Sequence, residues 1–393
     1  MNERAIESTG PGAPAANLRT DLTLARIDVQ VLRCPIATPV RTSFGVMHDR
    51  PAVLVRVEDT DGAHGWGEVW CNFPSCGAEH RARLVETVIA PLALGARFES
   101  PRACFAHLQS ATDVLALQTG EHGPIAQAIA GVDLALWDLV SRRAGLPLWR
   151  VLGGARDDIA VYASGINPDA PEQVVARQRA QGYRAFKLKI GFGRERDLGN
   201  LARIRESMAA GESLMVDANQ AWDLATAMQM VKPLADFGLA WLEEPLRANR
   251  PWSEWQQLAR KSAPVLAAGE NMAGFTAFGE ALEAHCLGVV QPDMAKWGGF
   301  TGCLPVARKI IAAAARYCPH YLGAGIGLLA SGHLLAAVGG DGMLEVDANP
   351  NPLRSLTCGT LNDVVDGRAD LGALPGLGVE PDLAALREFA VNL

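Results

Sequence analysis

The chain of 393 residues is poor in the features that would send it to a membrane, a nucleic acid or a disulfide-held fold. Its eight cysteines, at 34, 71, 76, 104, 286, 303, 318 and 358, are dispersed and form no CxxC pair. That argues against a disulfide framework or thiolate zinc site and suits reduced thiols in the cytoplasm. Basic residues are outnumbered, 36 Lys and Arg against 43 Asp and Glu, for a net charge of −7. No basic face or polybasic stretch recommends a nucleic-acid partner or an anionic membrane. No run approaches the roughly 20 apolar residues of a membrane span. The opening MNERAIESTGPGAPAANL has no apolar core of a signal peptide and reads as a flexible tail.

What is present is ordinary globular material, 49% hydrophobic and 20% charged, long enough for a barrel with an appended domain. LTLARIDVQVLRCPI and AVLVRVEDTDGAHGWGEVW read as strands, with Asp61-Gly62 as a hairpin turn between the second and third. TPVRTSFGVMHDRP (38–51) between the first two reads as a polar loop. Helical patterns follow from Ala78 to about Leu94, Pro101 to Leu117 and Gly123 to Ala144. The division expected is a tail at 1–20, an α+β domain at 21–150, a barrel at 151–350 and a C-terminal segment at 351–393 packing back on the first domain.

The barrel is expected from a rhythm. Lys189, Asp217, Glu243, Glu270, Asp293 and His320 each end a short apolar run, at steps of 28, 26, 27, 23 and 27. A strand with its returning helix consumes about that length. IAVYASG would be the first strand and MLEVDANP, with Glu345, the eighth. Such barrels carry their chemistry at the C-terminal strand ends.

Three carboxylates in register, Asp217, Glu243 and Glu270, would repel one another unless a cation neutralised them, and hard oxygen ligands suit Mg²⁺ better than zinc. Any one of them alone would be an ordinary strand-end acid. Lys187 and Lys189 are i and i+2 on a strand, so they share the inner face, where burial and mutual repulsion are expected to lower a lysine pKa and make a base. Asn219, two residues after Asp217, can reach substrate beside the metal. Asp293 can hold one ring nitrogen of His320 and leave the other for proton transfer. The other histidines, 48, 64, 80, 107, 122, 285 and 333, fall off the rhythm and read as structural. Lys296 reads as a loop residue.

KLKIG, VDAN, WLEEP, AGEN, QPDMAKWGG and CPHYLG resemble the motifs of the enolase superfamily, specifically its mandelate racemase subgroup, and the likeness extends through IAGVDLALWDLVSRRAGLPLWRVLGG. The resemblance implies a modified (β/α)7β TIM-type barrel under an N-terminal α+β capping domain. It implies Mg²⁺ on Asp217, Glu243 and Glu270, with Lys189 and the His320–Asp293 pair as opposed bases. It also implies a catalytic setting that includes Lys187 and Glu345. Loop 38–51 and VWCNFPSCG (69–77) should cover the barrel mouth, making Arg41, Phe44, His48, Trp70 and Phe73 candidates to touch substrate.

The expected activity is abstraction of the proton α to a carboxylate, giving an enediolate and, by dehydration of an acid sugar, a 2-keto-3-deoxy acid. Racemisation, epimerisation or lactone cycloisomerisation would use the same first step, and GFGRERDL after KLKI keeps the lactone in view. A non-catalytic binding protein on the same barrel would be expected to lack a ligand or base, and none is missing. The expected partner is a small-molecule carboxylate, the expected assembly a homo-oligomer.

Overall fold

The computed structural model describes residues 18–41 and 45–391. Phe44, the side chain of Arg41 and residues 1–17 of the expected tail lie outside the described residues. Strands β1 (Leu22–Arg41), β2 (Val46–Asp59) and β3 (His64–Val69) form an antiparallel meander, and the short β4 (Arg97–Phe98) pairs with the start of β1. The turn between β2 and β3 is held by the Asp59 carboxylate, which accepts the amides of Asp61 and Ala63 at 3.0 Å. The expected loop at 38–51 is mostly paired strand instead, with Val40 opposite Met47. A register shift between Pro35 and Val40 absorbs the prolines, which cannot donate to a ladder, and lets the hairpin continue.

Three helical stretches cover one face of this sheet. The longest, His122–Arg143, is apolar enough to cross a membrane by composition, yet it is a core helix, buried along most of its length. Gly65 and Gly67 explain how it sits so close to β3. A Cβ at Gly67 would stand 2.0 Å from the Gly131 carbonyl, and one at Gly65 would stand 2.2 Å from that of Ala135. A side chain at either position would push the helix away from the strand.

The barrel follows as β5 (Asp158–Ile166), β6 (Ala185–Lys189), β7 (Ser213–Asp217), β8 (Trp241–Glu243), β9 (Val265–Ala268), β10 (Val289–Val290), β11 (Arg316–Tyr317) and β12 (Met343–Asp347). These eight pair in parallel in the order β11-β10-β9-β8-β7-β6-β5-β12, with seven α-helices on the return paths. The ends β11 and β12 meet without a ladder, so closely that a Cβ on Gly342 would lie 1.8 Å from the Tyr317 carbonyl oxygen. Alternation along the strands sorts the core. Phe186, Leu188, Leu214, Val216 and Leu242 join the large cluster beneath the helices, whereas Tyr162, Ala185, Met215, Trp241, Ala267, Val289 and Cys318 plug the interior. The chain then crosses both units. A strand at Arg368–Asp370 pairs with β5, and Ala390–Val391 joins the first sheet beside β1.

Candidate active site

Directly above the interior plug, each barrel strand turns a polar residue inward. Lys189, Asp217 and Glu243 are the last residues of β6, β7 and β8. Glu270, Asp293 and His320 follow the ends of β9, β10 and β11 by two or three residues. Gly269 makes the Glu270 turn possible, since its φ is +151° and a Cβ there would meet the Gln291 backbone nitrogen at 2.5 Å. All six side chains are buried.

Their contacts form two linked groups. Lys187 has no exposed surface and donates to both Glu243 oxygens at 2.6 and 2.7 Å, and its ammonium pairs with Glu345 at 2.6 Å. Gln291 and the Trp241 indole also donate to Glu243, at 2.6 and 3.2 Å. Lys189 donates to Asp217 at 2.5 Å, and the Asn219 amide nitrogen caps the same carboxylate at 3.2 Å. On the far side His320 Nδ1 meets Asp293 at 2.7 Å, while its Nε2 is in close contact with Glu270. Glu345 lies in mid-strand, sharing a hydrogen bond with Ser164 and standing 3.8 Å from His320 Nε2. The acid at the end of β12 is Asp347, two residues further on.

Electrostatics in this dry layer are dominated by burial and by the excess of acids. Burial opposes the charge on Lys189, but the Asp217, Glu270 and Glu243 carboxylates together outweigh it and raise the pKa. The expected lowering of Lys189 is therefore not found, because its neighbour at 2.5 Å is an anion and Lys187 acts from further away. Lys187 is likewise raised well above the ordinary lysine value, Glu243 and Glu345 overcoming its burial. Burial works against the His320 charge too, yet Glu270, Glu345 and Asp293 push it up to about 10, so the ring is an imidazolium at neutral pH. Burial and the neighbouring acids raise Glu243 to about 7 and hold Glu244 well above the carboxylate range. Glu270 is lowered despite its burial, by His320 and Lys296.

The donor set fits a divalent cation. Six buried carboxylates (Asp217, Glu243, Glu244, Glu270, Asp293 and Glu345) share this layer with four cationic groups, Lys187, Lys189, Lys296 and His320. The acids outnumber the cations, and this excess, with burial, raises Glu243 and Glu244; a divalent cation on these hard oxygens would relieve it. Among the described residues, no three His, Cys, Asp or Glu side chains are arranged to hold an ion together. The reason is local: Lys189 occupies Asp217, and His320 Nε2 occupies Glu270.

A cavity of about 60 Å³ opens above the layer, lined by Lys189, Asn219, Glu270, Lys296 and His320 from the barrel and by Trp70 and Phe73 from the cap. His48 is exposed and does not line it, whereas Met47 and Arg50 do, three positions apart where strict alternation would have put Arg50 on the face of His48. Lys296, expected to be a plain loop residue, lies with its ammonium 5.0 Å from the Trp70 ring centre and 3.3 Å from Asn271 Oδ1. Sequence reasoning also missed Arg50, Asn72, Asn167, Asp347 and Asn349 on the cavity wall and Gln291 beneath it. The i, i+2 relation of Gln291 to Asp293 and of Asp347 to Glu345 was the available signal. Glu68 from β3 has a different task. It accepts the amides of Ala324 at 2.6 Å and Gly327 at 2.9 Å, which fixes the cap to the helix that follows His320.

The comparisons with known proteins agree with this geometry. Residues 26–153 match the mandelate racemase/muconate lactonizing enzyme N-terminal domain, and residues 169–385 match the enolase C-terminal domain-like model. The chain is 30% identical to a D-galactarolactone cycloisomerase of Agrobacterium fabrum, over 94% of this chain and 99% of that one. It is 34% identical to an L-talarate/galactarate dehydratase of Salmonella typhimurium, over 51% of this chain and 52% of that one. A solved mandelate racemase/muconate lactonizing enzyme from Bordetella bronchiseptica superposes with a TM-score of 0.89 at 61% identity, covering 94% of this chain and 99% of that one. A solved racemase from Streptomyces coelicolor with bound magnesium superposes at 0.83 with 29% identity, covering 94% and 100%.

Proposed function

The chain belongs to the mandelate racemase/muconate lactonizing enzyme family of the enolase superfamily, and from that premise we propose that it dehydrates an acid sugar by removing the proton α to its carboxylate. The observation that carries this reading is the convergence of two acid–base groups, Lys189 and His320, on one cavity from separate strands. An α-proton beside a carboxylate is too weakly acidic for either group unaided. Mg²⁺ on Asp217, Glu243 and Glu270 would supply the positive charge that stabilises the enediolate oxygens.

The protein's own groups account for the protons. Lys189 needs its neutral form to accept the C2 proton, and it loses the partner that now holds it charged once Asp217 is engaged elsewhere. His320 is fixed by Asp293 through Nδ1 and keeps Nε2 for transfer. As an imidazolium it donates to the departing β-hydroxyl, so the C2–H and C3–O bonds break, water leaves and the enol becomes a 2-keto-3-deoxy acid. Lys187, with both Glu243 oxygens and Glu345 in its grasp, sets the floor on which these groups stand.

A second reading is favoured by the cycloisomerase that aligns over nearly the whole chain. Opening a sugar lactone by β-elimination expels a carboxylate, which leaves without needing a proton. Asn in place of His320 should therefore abolish dehydration of an open acid sugar and spare the lactone. Products formed from each acid and its lactone, followed by NMR, separate the two. Turnover of lactones alone would move the enzyme to cycloisomerisation, inversion at C2 without loss of water would make it an epimerase, and turnover of neither would overturn both readings. A cytoplasmic, homo-oligomeric enzyme completes the proposal, its location supported by eight unpaired cysteines of which only Cys76 is exposed.

A further inference from the structure

Beyond the reacting carbon the cavity has a second polar wall, and we propose that it reads a second carboxylate: the substrate is a sugar diacid, with Arg50 as the specificity-determining residue for its far end. The choice of which end reacts rests on the α-proton reading above. In the strand order β12 and β5 lie across the barrel from β8, the middle of the three strands that supply Asp217, Glu243 and Glu270. They also lie between β6, which carries Lys189, and β11, which precedes His320. A substrate with its reacting carboxylate over the three acids and its C2 between the two bases extends its remaining carbons toward β12 and β5.

That arc is built for an anion. Arg50 comes down from β2, is 2% exposed and lines the cavity. Its guanidinium pairs with Asp347 at the end of β12, and its Nε is buried with no hydrogen-bond partner. The arc also contains Arg354, whose guanidinium donates to the Asp347 carbonyl at 2.7 Å. Of the two guanidinium groups only Arg50 meets the Asp347 carboxylate while Arg354 holds the main-chain carbonyl, so this arc carries two guanidinium groups to one such carboxylate, where the opposite arc has acids in excess. Asn349 orients Asp347 by donating to it at 2.7 Å, and Asn167 in turn donates to Asn349 at 3.0 Å. Asn167 Oδ1 is left buried without a partner. An unused donor on a planar cation and an unused acceptor on residues lining the same cavity match a carboxylate with a hydroxyl on the next carbon, which is the far end of an aldarate. An aldonate would bring only a hydroxymethyl group and leave Arg50 unanswered.

The test uses the full chain with Mg²⁺ and matched aldarate and aldonate pairs, such as galactarate with galactonate, across the hexose configurations. The wild type should favour the diacid at least about 10-fold in kcat/KM. Arg50→Gln should cut kcat/KM for the diacid roughly 100-fold, mainly through KM, and leave the monoacid within about 3-fold. Arg50→Lys should retain part of the preference. Because Arg50→Gln strands Asp347, the Arg50→Gln/Asp347→Asn double variant, which buries no unpaired charge, guards against misfolding. Equal loss on both members of a pair in the folded double variant, or a wild type that favours monoacids, overturns the proposal. Calorimetric binding of the same pairs to the Lys189→Met/His320→Asn double variant, which lacks both acid–base groups, reads the far end alone. Tighter diacid binding that disappears with Arg50→Gln supports the assignment even if C2 exchange fails, and indifference there refutes it even if exchange succeeds.

Discussion

Two arcs of one barrel face the same cavity and are made in opposite ways. From β6 to β9, each strand or the turn just after it brings a charged residue whose partners come from the barrel itself, with acids in excess. From β12 to β5, the charges come from the meeting of two units, Arg50 on the cap hairpin with Asp347 on the barrel. The first arc can be assembled from barrel geometry alone. The second exists only when the cap is docked. Chemistry therefore belongs to the barrel, and selection among acids belongs to the junction.

The largest effect expected from breaking this contrast is at the acids. Asp217→Asn or Glu243→Gln should lower kcat by roughly 10³-fold or more and remove Mg²⁺-dependent thermal stabilisation, with the circular dichroism of the fold retained. A Glu243→Gln enzyme with unchanged turnover would refute the metal assignment. Next comes His320→Asn, for which a loss of about 10² to 10⁴ in dehydration is expected from removal of a general acid. Exchange of the C2 proton through Lys189 should survive, and its parallel loss would contradict two separate bases.

Asp293→Asn should cost less, roughly 10²-fold, because the ring loses its orienting anion and keeps its place. Asp293 helps raise the His320 pKa, so the basic limb of the rate profile should move to lower pH in this variant. An unmoved limb would show that Glu270 and Glu345 alone set the ring's protonation. The smallest effect lies away from both arcs. His333 is fully buried, accepts the Trp149 amide at 3.0 Å, and is depressed by burial to about 4. A histidine with a depressed native pKa contributes stability that is present above its ordinary pKa near 6.5 and is lost as pH falls toward 4. The loss should run at roughly 1.4 kcal/mol per pH unit in that window. Thermal melts should show this acid slope reduced in His333→Gln, with no change in C2 exchange at neutral pH.

The contrast between the arcs also explains what could be read in advance. Lys189, Asp217, Glu243, Glu270, Asp293 and His320 were legible because one residue per strand, at a near-constant step, projects the barrel's geometry onto the chain. Arg50 and Asp347 are separated by nearly 300 residues, and nothing local marks either as the other's partner. His48 was misplaced for a related reason. Taking 38–51 as loop left out the paired hairpin that brings Met47 and Arg50 to the cavity, and two-residue alternation would in any case have grouped His48 with Arg50. The Lys189 pKa went the other way because pairing with Asp217 depends on a rotamer choice, which strand spacing does not convey.

The central claim is that Lys189 takes the C2 proton while His320 serves the leaving group from the other side of the same cavity, and isotope at C2 tests it most directly. Acid sugars carrying deuterium at C2 are incubated with the Mg²⁺-loaded enzyme in ordinary water, and the label is followed by NMR and mass spectrometry. The account predicts loss of the label with a primary isotope effect, abolished by Lys189→Met for substrates of one C2 configuration and retained in His320→Asn. Product that keeps its C2 deuterium, or no loss of label from any acid of either configuration, would contradict it.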